Sequence, residues 1–364
     1  MDGDYVRVII SAGGTGGHIY PALSIINKIK EKEPNSEFLY IGTHNRMEKD
    51  IIPKQGIPFK QIEIYGFNRK KLTKNFKTIK CLYESYKECK KIIKEFKPDI
   101  VIGVGGYVTA PVILAAHKLK IKTFIHEQNS VAGASNKLLS KYVDLIGVSF
   151  KSSMNEFPKN KTIFTGNPCS ENAIKVKEAS KKEFNLSENK KLVLFVMGSL
   201  GSSKMNEFLI KTMALFKNKD YEVLFVTGKD NNIDRKKMPS NVFVVPYIDN
   251  MTRIMKKTDL IVSRAGASTL SEIIALNLPS ILIPSPYVPN NHQYKNALDL
   301  INNNACILIE EKDLKGDILV KNIDDILNNP KKINEMKENL NKLKVSNSAT
   351  IIYENIKKLV NEGK

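Results

Sequence analysis

Short runs of apolar, largely β-branched residues recur along this chain, each followed at once by glycines or small polar residues and then by apolar positions at helical spacing. Val6, Val8, Ile9 and Ile10 form the first run. Residues 38–41, 100–102 and 123–125 continue the series, and 192–196, 223–226, 242–245, 260–262 and 280–283 repeat it in the second half. Apolar runs of this length, bounded by turn residues, predict parallel strands buried on both faces. Pro21 stands in the first turn of a predicted helix, where its missing N–H is not needed, and Ala22, Leu23, Ile25, Ile26 and Ile29 form that helix's core face. Strand and helix alternating in this way build a doubly wound α/β sheet. The pattern breaks near 164–168 and at Lys175, Lys177, Lys181 and Lys182, then starts afresh. Two such domains, over 1–166 and 167–345, are therefore expected to face each other across a cleft.

The strand ends carry the candidate chemistry. The first runs into Gly13, Gly14, Thr15, Gly16, Gly17 and His18, and the strand at 100–102 into Gly103, Val104, Gly105, Gly106 and Tyr107. Glycine turns let backbone N–H groups approach an anion at a helix N-terminus, in the crevice where strand order reverses. Neither common cradle fits the letters. A P-loop ends in Gly-Lys-Ser/Thr where this chain has Gly17-His18-Ile19, and a dinucleotide fingerprint needs another glycine spacing and an acidic residue after the second strand. The strand at 123–125 delivers His126, Glu127, Gln128 and Asn129 to the same rim. In the second half, Ser263-Arg264-Ala265-Gly266-Ala267-Ser268-Thr269-Leu270-Ser271-Glu272 is a strand end, a small-residue loop and a helix start. Its N–H groups and hydroxyls suit a diphosphate, and Glu272 can accept from two vicinal ribose hydroxyls, although plain helix capping explains the same letters. Residues 284–297 are rich in amide side chains, which supply both donors and acceptors for sugar hydroxyls.

Charge narrows the partners. The 364 residues carry a net charge of +19, and residues 1–166 hold 27 of the basic residues against 15 acidic ones. Nucleic acid, an anionic membrane surface and a polyanionic substrate all answer to such a balance. No nucleic-acid motif accompanies it, so that partner is not expected. From 68 to 97, Leu72, Phe76, Ile79, Tyr83 and Tyr86 recur at helical spacing, with Arg69, Lys70, Lys71, Lys74, Lys77 and Lys80 around the early part. This is either a helix packed on the sheet with a solvated lysine face, or a patch of Leu72, Phe76 and Ile79 ringed by Lys70, Lys71 and Lys74 that settles on anionic lipid. No apolar run approaches the roughly 18 residues of a spanning helix and no leader pattern opens the chain, so a membrane would be met from the side. The four cysteines lack metal-ligand spacing and fit a reduced compartment. Asp324-Asp325 lies in a helical pattern away from any strand end. No metal is expected, and leaving-group stabilisation falls to backbone N–H groups and helix dipoles.

Six ordered blocks, GGTGGH at 13–18, GVGGYVTAP at 103–111, HEQN at 126–129, TGNP at 165–168, SRAGASTLSE at 263–272 and HQYKNA at 292–297, resemble the MurG family over nearly the whole chain. The resemblance implies a GT-B fold of two Rossmann-like domains, with the last helix, about 346–364, crossing back to the first. It implies an inverting, metal-independent hexosyltransferase of peptidoglycan synthesis without a cofactor. The family moves N-acetylglucosamine from UDP-N-acetylglucosamine to the C4 hydroxyl of undecaprenyl-diphospho-N-acetylmuramoyl-pentapeptide. Carried over by position, the Ile248 backbone meets uracil, Glu272 the ribose, Ser199 with Ala267, Ser268 and Thr269 the diphosphate, and Gln293 and Asn296 the sugar. Leu270 and Ser271 belong to the same donor block, and Thr15, Gly16, Gly17 and Asn129 complete it from the first domain. The acceptor diphosphate is expected near Gly13, Gly14, Gly105, Gly106 and Tyr107. His18 is the candidate general base, its ordinary pKa near 6.5 suiting proton removal at neutral pH; Glu127 is a second catalytic candidate. The family also implies peripheral attachment at the cytoplasmic face of the membrane, and contacts with other cell-wall or division proteins. Two letters depart from it. Leu200 stands where the family often has Gln, and Ser170 stands where a phosphate-contacting arginine is usual. A glycolipid synthase of the same fold, or a silent nucleotide-sugar-binding scaffold, are the alternatives.

Overall fold

The structure, a computed structural model, describes residues 5–66, 75–198, 203–228, 233 and 238–362, with the backbone alone at 75–77 and 203–204. The chain divides into two compact units, Met1–Cys169 with Asn347–Lys364, and Ser170–Ser346.

Among the described residues the first unit holds seven strands: β1 (Arg7–Ser11), β2 (Glu37–Thr43), β3 (Phe59–Ile62), β4 (Ile100–Gly103), β5 (Lys122–Glu127), β6 (Leu145–Val148) and β7 (Thr162–Phe164). They pair in parallel in the order β3-β2-β1-β4-β5-β6-β7. Period-two alternation sends the two faces of each strand into different cores. Val8 and Ile10 pack with Phe38, Tyr40, Ile102 and Phe124 against the helix Gly16–Lys32. Ile9 points the other way, with Leu39, Ile41, Val101 and Ile125, under the helices Asn75–Phe96 and Thr109–Lys118. Burial on both faces is why these strands read as unbroken apolar runs. Strand order reverses between β1 and β4, where Ser11 pairs with Gly103, so the two glycine turns leave the sheet side by side.

The helix Ser348–Asn361 joins this first unit. Its Ile352, Ile356 and Val360 enter the core beneath Gly16–Lys32. The Tyr353 hydroxyl and the Lys357 ammonium both donate to Glu33, a fully buried carboxylate just past the end of that helix.

The second unit repeats the plan with β8 (Leu192–Val196), β9 (Glu222–Val226), β10 (Val242–Val245), β11 (Leu260–Ser263), β12 (Ser280–Leu282) and β13 (Ile307–Leu308). The order is β10-β9-β8-β11-β12-β13, again all parallel, with the reversal between β8 and β11. The fold is thus α/β with two Rossmann-like sheets, as expected. Four strands had no counterpart in the apolar pattern. β3 is an edge strand whose Lys60 and Gln61 face solvent, and β7 and β13 are only three and two residues long. β6 is broken by Gly147, where a Cβ would come within 2.8 Å of the Phe124 ring; the sheet needs the gap that hides the strand from the pattern.

Candidate active site

At the first unit's reversal point the two glycine turns are tied together. Gly13 N–H donates to Gly105 O at 3.2 Å. A Cβ on Gly106 would stand 2.5 Å from Gly13 O, and Gly106 has φ of +87°, so only glycine fits there. The half-buried His18 ring lies against Gly105, whose Cβ would come within 2.6 Å of the imidazole Cδ2. His18 Nδ1 is 2.9 Å from Gly13 O. A carbonyl only accepts, so Nδ1 carries the proton and Nε2 of the neutral ring keeps its lone pair. That bond fixes the tautomer in which Nε2 is the nitrogen able to accept a proton.

The backbone donors divide sharply. The Gly13 N–H goes to Gly105 O, and the Gly14 N–H goes to Glu48 Oε2 at 3.1 Å. Both of these N–H groups are thus taken up inside the protein. Among the described residues no protein acceptor meets the N–H groups of Thr15, Gly16, Gly105 and Gly106. Thr15 caps the helix Gly16–Lys32 without a side-chain bond, and that helix has no acidic residue in its first turn. Four open donors and an uncompensated helix dipole suit an anion. Tyr107, half-buried beside them, accepts from Arg46 Nε at 3.4 Å.

The strand-end tetrapeptide on β5 is built inward. His126 is fully buried, its Nε2 donates to Gly166 O at 3.1 Å, and its Nδ1 accepts from the Gln128 amide at 3.0 Å. Burial pushes its pKa down to about 4, against a smaller opposing pull from the Gly166 carbonyl, so it stays neutral. Glu127, also buried, accepts from the Asn129 N–H and side-chain amide through Oε1, and from the Gly133 N–H and the Asn136 amide through Oε2. Four donors saturate its carboxylate and hold Asn129 at the rim.

In the second unit, β11 ends in a turn that opens the helix Ala267–Ala275, capped by Gly266 in extended conformation with no side-chain bond. Among the described residues no acceptor meets the N–H groups of Ala267 and Thr269. Leu270 is buried in the core and its N–H donates to Gly266 O at 2.9 Å, and the Ser271 hydroxyl donates to Ser268 O at 2.7 Å. Thr252, on the helix Met251–Met255 that follows the loop of Ile248, donates to Glu272 at 2.9 Å. Glu272 as a residue is half-exposed but its carboxyl is enclosed, and burial pushes its pKa up to about 7, partly offset by the Thr252 bond. Gln293 Oε1 accepts from the Ser285 N–H at 2.8 Å, which turns its amide nitrogen outward from that bond; buried Asn296 donates to Ala265 O at 3.3 Å. Ser170 is buried and its hydroxyl donates to Val345 O at 2.9 Å. Ser199 and Leu200 lie outside the described residues, as do Lys70, Lys71, Leu72, Lys74 and the Phe76 side chain. Ile79, the described member of that patch, is 54% exposed.

Two contributors had no signal in the letters. Glu48 reads as a first-turn acid of a surface helix, and Thr252 as one hydroxyl in a polar loop; only the fold brings them to the glycine turn and to Glu272.

The glycosyltransferase family 28 N-terminal domain matches residues 8–148, and the C-terminal domain of the same family matches residues 192–351. The UDP-N-acetylglucosamine–N-acetylmuramyl-(pentapeptide) pyrophosphoryl-undecaprenol N-acetylglucosamine transferase of Bacillus pumilus is 45% identical over 361 residues, covering 97% of this chain and 99% of its own. Transferase 1 of the same description from Bacillus cereus is 46% identical over 366 residues, covering 98% and 100%. The crystal structure of Acinetobacter baumannii MurG aligns with a TM-score of 0.75 at 26% identity, covering 97% of this chain and 99% of that one.

Proposed function

Because this chain belongs to the MurG family within glycosyltransferase family 28, we propose that its first unit supplies the base and the acceptor's anion site and its second unit holds the nucleotide sugar. It is an N-acetylglucosaminyltransferase that converts lipid I to lipid II in peptidoglycan synthesis, with UDP-N-acetylglucosamine and the undecaprenyl-linked muramyl-pentapeptide as substrates.

In the proposed step the muramyl C4 hydroxyl oxygen attacks the anomeric carbon of the donor and its proton passes to His18 Nε2. The bond from that carbon to the β-phosphate oxygen breaks, its electron pair leaves with UDP, and the configuration inverts. The observation that carries this reading is the Gly13–carbonyl bond to His18 Nδ1, which leaves Nε2 as the basic nitrogen beside the open N–H groups of Thr15, Gly16, Gly105 and Gly106. The N–H groups of Gly105 and Gly106 are the proposed site of the acceptor diphosphate, with Tyr107 alongside, and those of Thr15 and Gly16 are the phosphate-facing groups assigned to the donor. In the second unit Glu272 takes the ribose, the Ile248 backbone the uracil, and the start of the helix Ala267–Ala275 the diphosphate, where the dipole stabilises the departing charge. Gln293 and Asn296 take the sugar. Glu127 acts by holding Asn129, since its four donors leave it no part in proton transfer.

Peripheral attachment at the cytoplasmic face belongs to the same proposal. Among the described residues no helix is long and apolar enough to cross a membrane. Ile79 and Tyr83, 54% and 58% exposed on the helix Asn75–Phe96, support a contact with anionic lipid. The test of function is transfer of labelled N-acetylglucosamine by the full chain, offered lipid I and diacylglycerol in parallel. Label on the diphosphate-linked product is expected, and label on diacylglycerol alone would overturn the assignment.

A further inference from the structure

One peptide unit of the first glycine turn is held at both ends by ionisable side chains. Its N–H, that of Gly14, donates to Glu48 Oε2 at 3.1 Å, and its C=O, that of Gly13, accepts from His18 Nδ1 at 2.9 Å. Glu48 begins the short helix Glu48–Lys54 and is fully buried. Its other oxygen accepts from the Thr43 N–H at 3.1 Å and the Thr43 hydroxyl at 2.7 Å. These three donors are neutral, so the carboxylate charge is buried among dipoles, which is costly for a group whose only task is to brace a loop.

We infer that Glu48 is a positioning residue for sugar transfer, acting on His18 through the 13–14 peptide. Hydrogen bonds in a chain polarise one another. A negative charge at the N–H end of a peptide shifts electron density to its oxygen, and that oxygen then holds the Nδ1 proton of His18 more strongly. The imidazolium formed when Nε2 takes the acceptor's proton is stabilised in consequence. The arrangement resembles the carboxylate–imidazole pair of hydrolases with one peptide inserted between the partners. A neutral amide could accept from the Gly14 N–H or from the Thr43 N–H but not from both, and that loss of bracing would persist without the imidazole; the relay alone needs both the charge and His18.

The inference rests on the reading of His18 as the base, and the test separates the two. The other ionisable groups at this turn are Tyr40, Arg46, Tyr107 and His44, with exposed Lys49 and Asp50 on the helix of Glu48. Burial raises the Tyr40 hydroxyl well above the usual range, so it stays neutral throughout, and His44 is followed by its own resonance. In Glu48→Gln, kcat is expected to fall about three- to tenfold with KM for the donor unchanged, and the His18 imidazole to titrate at lower pH by nitrogen NMR. In the His18→Ala background the same Glu48→Gln change is expected to have no further effect on kcat. If His18→Ala alone leaves kcat intact, the base reading fails. If His18→Ala lowers kcat but Glu48→Gln lowers it by an equal factor with or without the imidazole, the relay fails and the base stands. The unmutated protein gives a second measurement should Glu48→Gln not fold. Its Gly14 amide proton is expected to move downfield as His18 is protonated, and a Gly14 resonance indifferent to that titration overturns the inference.

Discussion

Glu272 and Gly105 show at the level of single residues what the two sites demand. The Glu272 pKa is pushed up to about 7 by burial, so the donor-free folded protein binds a proton there that the unfolded chain, near 4.5, has already lost. The folded state gains from that proton at low pH, and the gain disappears as pH rises through about 7. Glu272→Gln is expected to gain thermal stability relative to the parent as pH is raised from about 4 to about 8, as measured by calorimetric melting. An ionised carboxylate accepts from two ribose hydroxyls, so binding of UDP-N-acetylglucosamine should release a proton near neutral pH. Titration heats would then differ between buffers of different ionisation enthalpy; identical heats contradict the ribose assignment. At Gly105, φ of +103° and a virtual Cβ 2.6 Å from the imidazole leave no room for a side chain. Gly105→Ala should displace His18 and lower kcat by about a hundredfold while donor affinity holds, because misplacement of a reacting group by an ångström costs on that order. A normal kcat would place the reacting base elsewhere.

Among the elements, the helix Ser348–Asn361 returns to the first unit at the end of the chain. Ile352 is fully buried in the core of that unit, and Ile352→Ala is expected to cost about 2–5 kcal/mol, with amide exchange accelerated along Gly16–Lys32 rather than in the second unit. Protection unchanged in Gly16–Lys32 would contradict this packing. The strands that support the glycine turns were legible because β1, β4, β8 and β11 lie inside their sheets and show apolar residues on both faces. The edge strand β3, with Lys60 and Gln61 open to solvent, was not. The candidate site divides in the same way. Glycines and hydroxyls at strand ends announce themselves by position, and His18 stands out at the end of such a turn. Glu48, Thr252 and the bond of Ser170 to Val345 depend on which chain segments meet in space, and periodicity carries no information on that. The tetrapeptide at 126–129 was expected at the rim; its His126, Glu127 and Gln128 are instead buried, with the Gln128 amide donating to His126, and Asn129 is half-buried.

For the whole molecule, a net charge of +19 concentrated in residues 1–166 has to be reconciled with a substrate anchored in a bilayer. Lysine-rich segments near an anionic surface gain roughly 1 kcal/mol per residue, and that gain is screened by salt. Co-sedimentation with vesicles containing anionic lipid should therefore exceed that with neutral vesicles and fall as salt is raised, and Lys80→Glu with Ile79→Ser should weaken it. Equal partition into neutral vesicles would remove the electrostatic basis of attachment. The same unit supplies the proposed base. The most direct measurement is the turnover of labelled N-acetylglucosamine into lipid II by His18→Ala, at saturating substrates and alongside the Kd for UDP-N-acetylglucosamine. A fall of about 10²- to 10⁴-fold in kcat with an unchanged Kd is predicted for loss of a general base, and turnover within about twofold of the parent would contradict it.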